Sequence, residues 1–141
     1  MTAILTKPAV LTAVILALAG PVWADDAAMT EEVVHRHLAA FGAGDMDAML
    51  ADFTDTSVMI ANGTVMTGPE EMRPAFEAFF AEFGKPDVVF EMTGEVYNGR
   101  IGYITWHADT PDNTYETGTD TFLVEDGKIV AQTFTAKITP K

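Results

Sequence analysis

The sequence predicts an α+β fold, with helices packed on one face of a mostly antiparallel sheet. Three observations carry this. Apolar residues recur at helical spacing in three segments before residue 84, and from Asp87 onward the chain reads as strand-length runs rich in Val, Ile, Thr, Tyr and Phe. Asn98-Gly99 and Glu125-Asp126-Gly127 separate long runs as hairpin turns do. The length, 141 residues, allows one domain.

The first segment reads as an address. Met1–Lys7 carries one positive charge, Pro8–Gly20 is uncharged and mostly Ala, Val, Leu and Ile, and Ala24 precedes Asp25-Asp26. This is the three-part pattern of a secretory signal peptide, cleaved after Ala24. The apolar run is shorter than the about 20 residues a spanning helix needs. The expectation is therefore a signal peptide over 1–24, a domain over 25–141, and a periplasmic or secreted bacterial protein.

In the domain, Thr30 can cap a helix over Glu31–Phe41, with Glu31 and Glu32 in the first turn, where the helix dipole favours acids. Its apolar stripe is Val33, Val34, His37, Leu38 and Phe41. Asp45 can cap a second helix that turns Met46, Met49, Leu50 and Phe53 inward. Ser57–Ile60 reads as a strand, Asn62-Gly63 as a turn and Val65-Met66 as a short return strand. Gly68-Pro69 opens a third helix with Met72, Phe76, Phe79, Phe80 and Phe83 as its buried stripe, and Pro74 predicts a kink or a slipped start. Four strands follow: Val88–Tyr97, Arg100–Asp109, Thr114–Val124 and Lys128–Ile138.

Composition excludes several functions. Asp and Glu number 21 against 8 Lys and Arg, a formal charge of −13, and the basic residues are scattered. Nucleic-acid phosphates need clustered cations, so no nucleic-acid partner is expected. The absence of Cys rules out disulfides, thiolate metal sites and a Cys nucleophile. His35 and His37 point apart on a helix, and His107 with Asp109 lacks a third ligand, so no metal is expected. No Gly-rich phosphate loop or Ser-nucleophile motif is present, and no organic cofactor is expected.

Local patterns add a family resemblance. Gly44-Asp45-Met46-Asp47-Ala48, Asp55-Thr56-Ser57-Val58, Thr67-Gly68-Pro69-Glu70 and, most specifically, Asp120–Val130 resemble the nuclear transport factor 2-like superfamily, in its SnoaL-like and ketosteroid-isomerase-like branch. The resemblance spans nearly all of Thr30–Ile138. It implies a cone: a strongly curved, mostly antiparallel sheet with about three N-terminal helices on its concave face, a deep pocket between them, and frequent dimers.

Strand alternation divides each strand into two faces and leaves open which one meets the pocket. On Arg100–Asp109 one face carries Ile101, Tyr103, Thr105 and His107, and the other Gly102, Ile104, Trp106 and Ala108. Gly118, Phe122 and Glu116 share a face with Asp120, and Gln132, Phe134 and Ala136 share one with Val130. The resemblance assigns the Tyr103/His107 face, Asp120 and Gln132 to the pocket. It matches Asp120 to the acid that donates a hydrogen bond to a developing oxyanion, a role that needs a pKa raised by apolar surroundings. It matches His37 to the oxyanion-hole Tyr and Ile60 to the general-base Asp, which this chain therefore lacks.

Asp120, His37 and His107 are thus the expected catalytic residues. Tyr103, Thr105, Gln132, Phe134, Phe122 and Ile60 are the expected ligand contacts. Two functions remain open: an isomerase, cyclase, dehydratase or epoxide-hydrolase type of enzyme acting on a small apolar molecule, or a non-catalytic protein that binds one. A homodimer is expected through the convex sheet face, where Ile104 and Trp106 would otherwise meet water.

Overall fold

The computed structural model describes residues 22–141, with side chains from Asp25. The expected signal peptide lies outside the described residues, apart from the backbone of its last three. Among the described residues, no helix is long and apolar enough to cross a membrane.

Among the described residues, three helices and six strands follow in order: α1 (Val22–Ala43), α2 (Met46–Ala51), β1 (Phe53–Ala61), β2 (Thr64–Thr67), α3 (Gly68–Phe83), β3 (Val89–Asn98), β4 (Ile101–Asp109), β5 (Asn113–Glu125) and β6 (Lys128–Pro140). They form one curved open sheet in the order β2-β1-β6-β5-β4-β3, antiparallel except where β1 pairs with β6. The fold is α+β, as the sequence predicts.

Asp45 caps α2 by accepting from the Ala48 N–H at 3.0 Å. Helix α1 starts earlier than expected, because Thr30 does not cap it. Thr30 is buried within the helix, and its hydroxyl donates to the Gly99 carbonyl at 2.9 Å, tying α1 to the β3–β4 turn. Helix α3 continues through Pro74 without interruption.

The β3–β4 turn is also shifted by one residue. Asn98 pairs with Ile101, so Gly99-Arg100 forms the two-residue loop, with Gly99 at φ 54°. Glycine at the first central position suits a type II′ hairpin. A bulge between Tyr115 and Thr117 turns Tyr115 inward and Glu116 outward, so Glu116 does not share the face of Asp120.

The core lies between the helices and the inner face of the sheet. Val33, Val34, Met72 and Phe76 from the helices meet Ile104, Trp106, Phe122 and Ile129 from the strands.

Candidate active site

A narrow cavity of about 70 Å³ lies between α1, α3 and the inner sheet face. Its walls are mostly aromatic, and its polar side chains are His37, Asp120 and Gln132.

His37 projects from the buried stripe of α1, with Phe53 and Phe122 edge-on to its ring at centroid distances of 5.3 and 5.9 Å. Its Nδ1 lies 3.2 Å from Asp52 Oδ2. Arg36 places Nε at 2.8 Å and Nη2 at 2.6 Å from Asp52 Oδ1, and Nη2 also donates to the Gly127 carbonyl. Burial pushes the Asp52 carboxyl up, but hydrogen bonds from His37 and Arg36, with their charges, outweigh it and hold the carboxyl below its ordinary value. An ionised Asp52 only accepts, so Nδ1 of His37 carries a proton whether the ring is neutral or charged. Nε2 has no hydrogen-bond partner in the protein among the described residues, which leaves it for an occupant of the cavity.

Asp120 faces the same cavity from β5 and is 8% exposed. Its Oδ2 accepts from Trp106 Nε1 at 2.8 Å and its Oδ1 from Gln132 Nε2 at 3.0 Å. Burial raises its pKa. The two hydrogen bonds and the charge of His37 pull the other way without cancelling it. Trp106 is held flat against Phe134, with ring centroids 6.0 Å apart and planes 9° apart. Gly118 makes room for it, since a Cβ there would lie 2.3 Å from the indole.

Asp120, His37, Gln132, Phe122 and Phe134 all line the cavity. Four expected contacts do not. Tyr103, Thr105 and His107 lie on the outer face, where Tyr103 is 39% exposed and His107 Nε2 meets Glu91 Oε2 at 3.2 Å. Ile60 also points outward, and Met59 lines the cavity in its place. The expected faces of β4 are thus reversed. Ile104 pairs with Asp120 and Trp106 with Gly118, and directly opposed residues share a face, which puts Ile104 and Trp106 inside. Both are buried, so they cannot supply a convex dimer surface.

The sequence reading missed Asp52 and Trp106. A signal for Asp52 existed: it is the C-cap of α2, where the helix dipole disfavours an acid, so its place calls for a compensating cation.

The curved sheet, the helices on its concave face and the cavity between them define the nuclear transport factor 2-like α+β cone. Within that class, the SnoaL-like domain profile matches residues 34–132, and the chain belongs to that family. No curated protein matches the sequence. Solved structures match in fold. An epoxide hydrolase/cyclase-like enzyme of pyran ring formation in the polyether salinomycin is 18% identical with a TM-score of 0.69, covering 82% of this chain and 98% of that one. A nuclear transport factor 2-like protein of unknown function from Mesorhizobium loti is 20% identical with a TM-score of 0.68, covering 80% and 94%. A candidate ketosteroid isomerase from Kribbella flavida is 13% identical with a TM-score of 0.66, covering 79% and 80%.

Proposed function

We propose that this chain is an acid–base enzyme that moves a proton on a small apolar molecule bearing a carbonyl, hydroxyl or epoxide. The observation that carries this is the pairing of two buried titratable groups on one cavity. His37 is oriented by an ionised Asp52, and Asp120 is held toward its neutral form by burial. His37 Nε2 takes a proton from the substrate. Asp120 gives one to the oxygen that gains charge or leaves. The resulting imidazolium and carboxylate then attract each other, and a proton passing from His37 to Asp120 restores the resting state. Cyclisation, dehydration and epoxide opening fit this exchange; in an isomerisation His37 instead returns its proton to a second carbon of the substrate and Asp120 recovers its own from the oxygen.

The test is turnover of a panel of small cyclic ketones, β-hydroxy ketones and epoxides, run in D₂O so that proton exchange is also read. The wild type should turn over at least one class, and His37→Gln and Asp120→Asn should each lose about a hundredfold or more. Tight binding of panel members without turnover or exchange would favour the second reading, a non-catalytic ligand-binding protein. Met59 on the β1 wall supports that alternative, because no carboxylate stands there as a base.

Export belongs to the same proposal, on the pattern of residues 1–24. Mass spectrometry of the periplasmic protein should find Asp25 at the N-terminus. A homodimer through the convex face is retained on different residues. Val65, Ile60, Thr133, Thr121, Tyr103 and Val96 are cross-strand neighbours in one row, uncharged in a chain of net charge −13. Two such acidic copies repel each other least across an uncharged strip. Sedimentation should show a dimer that Tyr103→Glu dissociates.

A further inference from the structure

We propose that Gln132 determines the specificity of the cavity, and that it selects a neutral ligand carrying a hydroxyl group on a flat apolar skeleton. This rests on the cavity being the binding site, and it names the chemistry of the occupant.

Gln132 is 6% exposed. Its Nε2 is used by Asp120, but its Oε1 is buried without a hydrogen-bond partner among the described residues. An unpaired buried acceptor carries its full desolvation penalty, so a partner is expected. Turning the amide over does not remove the deficit. Oε1 would then face Asp120, a favourable contact when Asp120 is protonated, and the Nε2 donors would be left unpaired. One orientation needs a donor and the other an acceptor. A hydroxyl is both, so it satisfies Gln132 whichever protonation state Asp120 holds. A carbonyl serves one orientation and an ammonium the other.

The surroundings argue for a neutral, flat molecule. Arg36 is committed to Asp52 and Gly127 and does not line the cavity, so an anionic ligand would find no guanidinium there. Trp106, Phe134, Phe79 and Phe122 offer ring faces and edges to an apolar skeleton. A larger cleft of about 440 Å³ adjoins the cavity and shares Leu38, Phe41, Phe83 and Phe90 with it. A skeleton too long for the inner space can extend there.

Phenol and toluene test this directly, because they match in shape and differ in the hydroxyl. Toluene is the more readily transferred out of water, so a cavity lacking a partner for the hydroxyl prefers toluene. Isothermal titration of the mature chain should instead show phenol binding about tenfold more tightly than toluene. Gln132→Met, similar in volume and without the amide, should reverse the order. Equal or tighter toluene binding by the wild type overturns the proposal even if the variant fails to fold. It leaves the acid–base reading standing, since that depends on turnover by His37 and Asp120. If neither probe binds up to its solubility limit, the hydroxyl proposal falls together with the cavity as a binding site.

Discussion

Two histidine–carboxylate pairs sit on opposite sides of the sheet at the same separation. His37 Nδ1 lies 3.2 Å from Asp52 on the inner side, and His107 Nε2 lies 3.2 Å from Glu91 on the outer side. Their side chains are 3% and 4% exposed in the first pair, and 45% and 65% in the second. Distance therefore does not separate them, and solvent does. Around His107, water screens the attraction and competes for both partners. Around His37, little water remains, Arg36 adds a cation beside the same carboxylate, and losing one partner strands the others.

The largest expected effect comes from breaking the inner pair. Asp52→Ala should destabilise the fold by about 3 kcal/mol, since it leaves the buried His37 Nδ1 without an acceptor and Arg36 with only the Gly127 carbonyl. Urea unfolding reads this as a lower midpoint at an unchanged slope. A loss under about 1 kcal/mol would place the inner pair in the same energetic class as the outer one.

Next in size is the packing that holds the second inner carboxylate. Gly118→Ala places a methyl where the Trp106 indole lies, so the ring must shift and release Asp120. A loss of about 2 kcal/mol is expected, with a red-shifted tryptophan emission. An unchanged spectrum would mean that the indole is not fixed by this glycine.

The two inner carboxylates should also respond oppositely to pH. The folded pKa of Asp52 is below the ordinary 3.8, so its stabilisation is present above that pH and fades as pH falls through the folded value. The folded pKa of Asp120 is above 3.8, so its contribution is full below that pH and fades as pH rises through the folded value. The stability of Asp120→Asn relative to wild type should therefore rise with pH above about 4, and that of Asp52→Asn should rise as pH drops below about 4. Parallel curves for the two variants would remove the distinction between an acid and an orienting base.

The same inner–outer contrast explains what could be read in advance. Element order, the Asn62-Gly63 and Asp126-Gly127 turns and the stripes of α1 and α3 are local patterns, and the structure reproduces them. The face of β4 is not local. Alternation yields two sets, and which of them joins Asp120 depends on the β4–β5 register, which a loop between strands does not reveal. Hydrophobicity carried the missing signal, because Gly102, Ile104, Trp106 and Ala108 form the more apolar set. Asp52 was hidden for another reason: its partners His37 and Arg36 lie on α1, and sequence spacing does not state how two helices pack.

The smallest expected effect belongs to the outer pair. His107→Ala removes a half-exposed side chain whose partner Glu91 is itself more exposed. Stability should change by no more than about 0.5 kcal/mol, the scale of a solvent-screened ion pair. Binding and turnover should match the wild type, because the His107 ring lies across the sheet from the cavity. Raising the salt concentration should erase what little difference is seen, while the loss in Asp52→Ala persists. A His107→Ala variant with impaired turnover would overturn this contrast. It would mean that the outer face of β4 reaches the chemistry, and that its strand order places more than the inner cavity in contact with substrate.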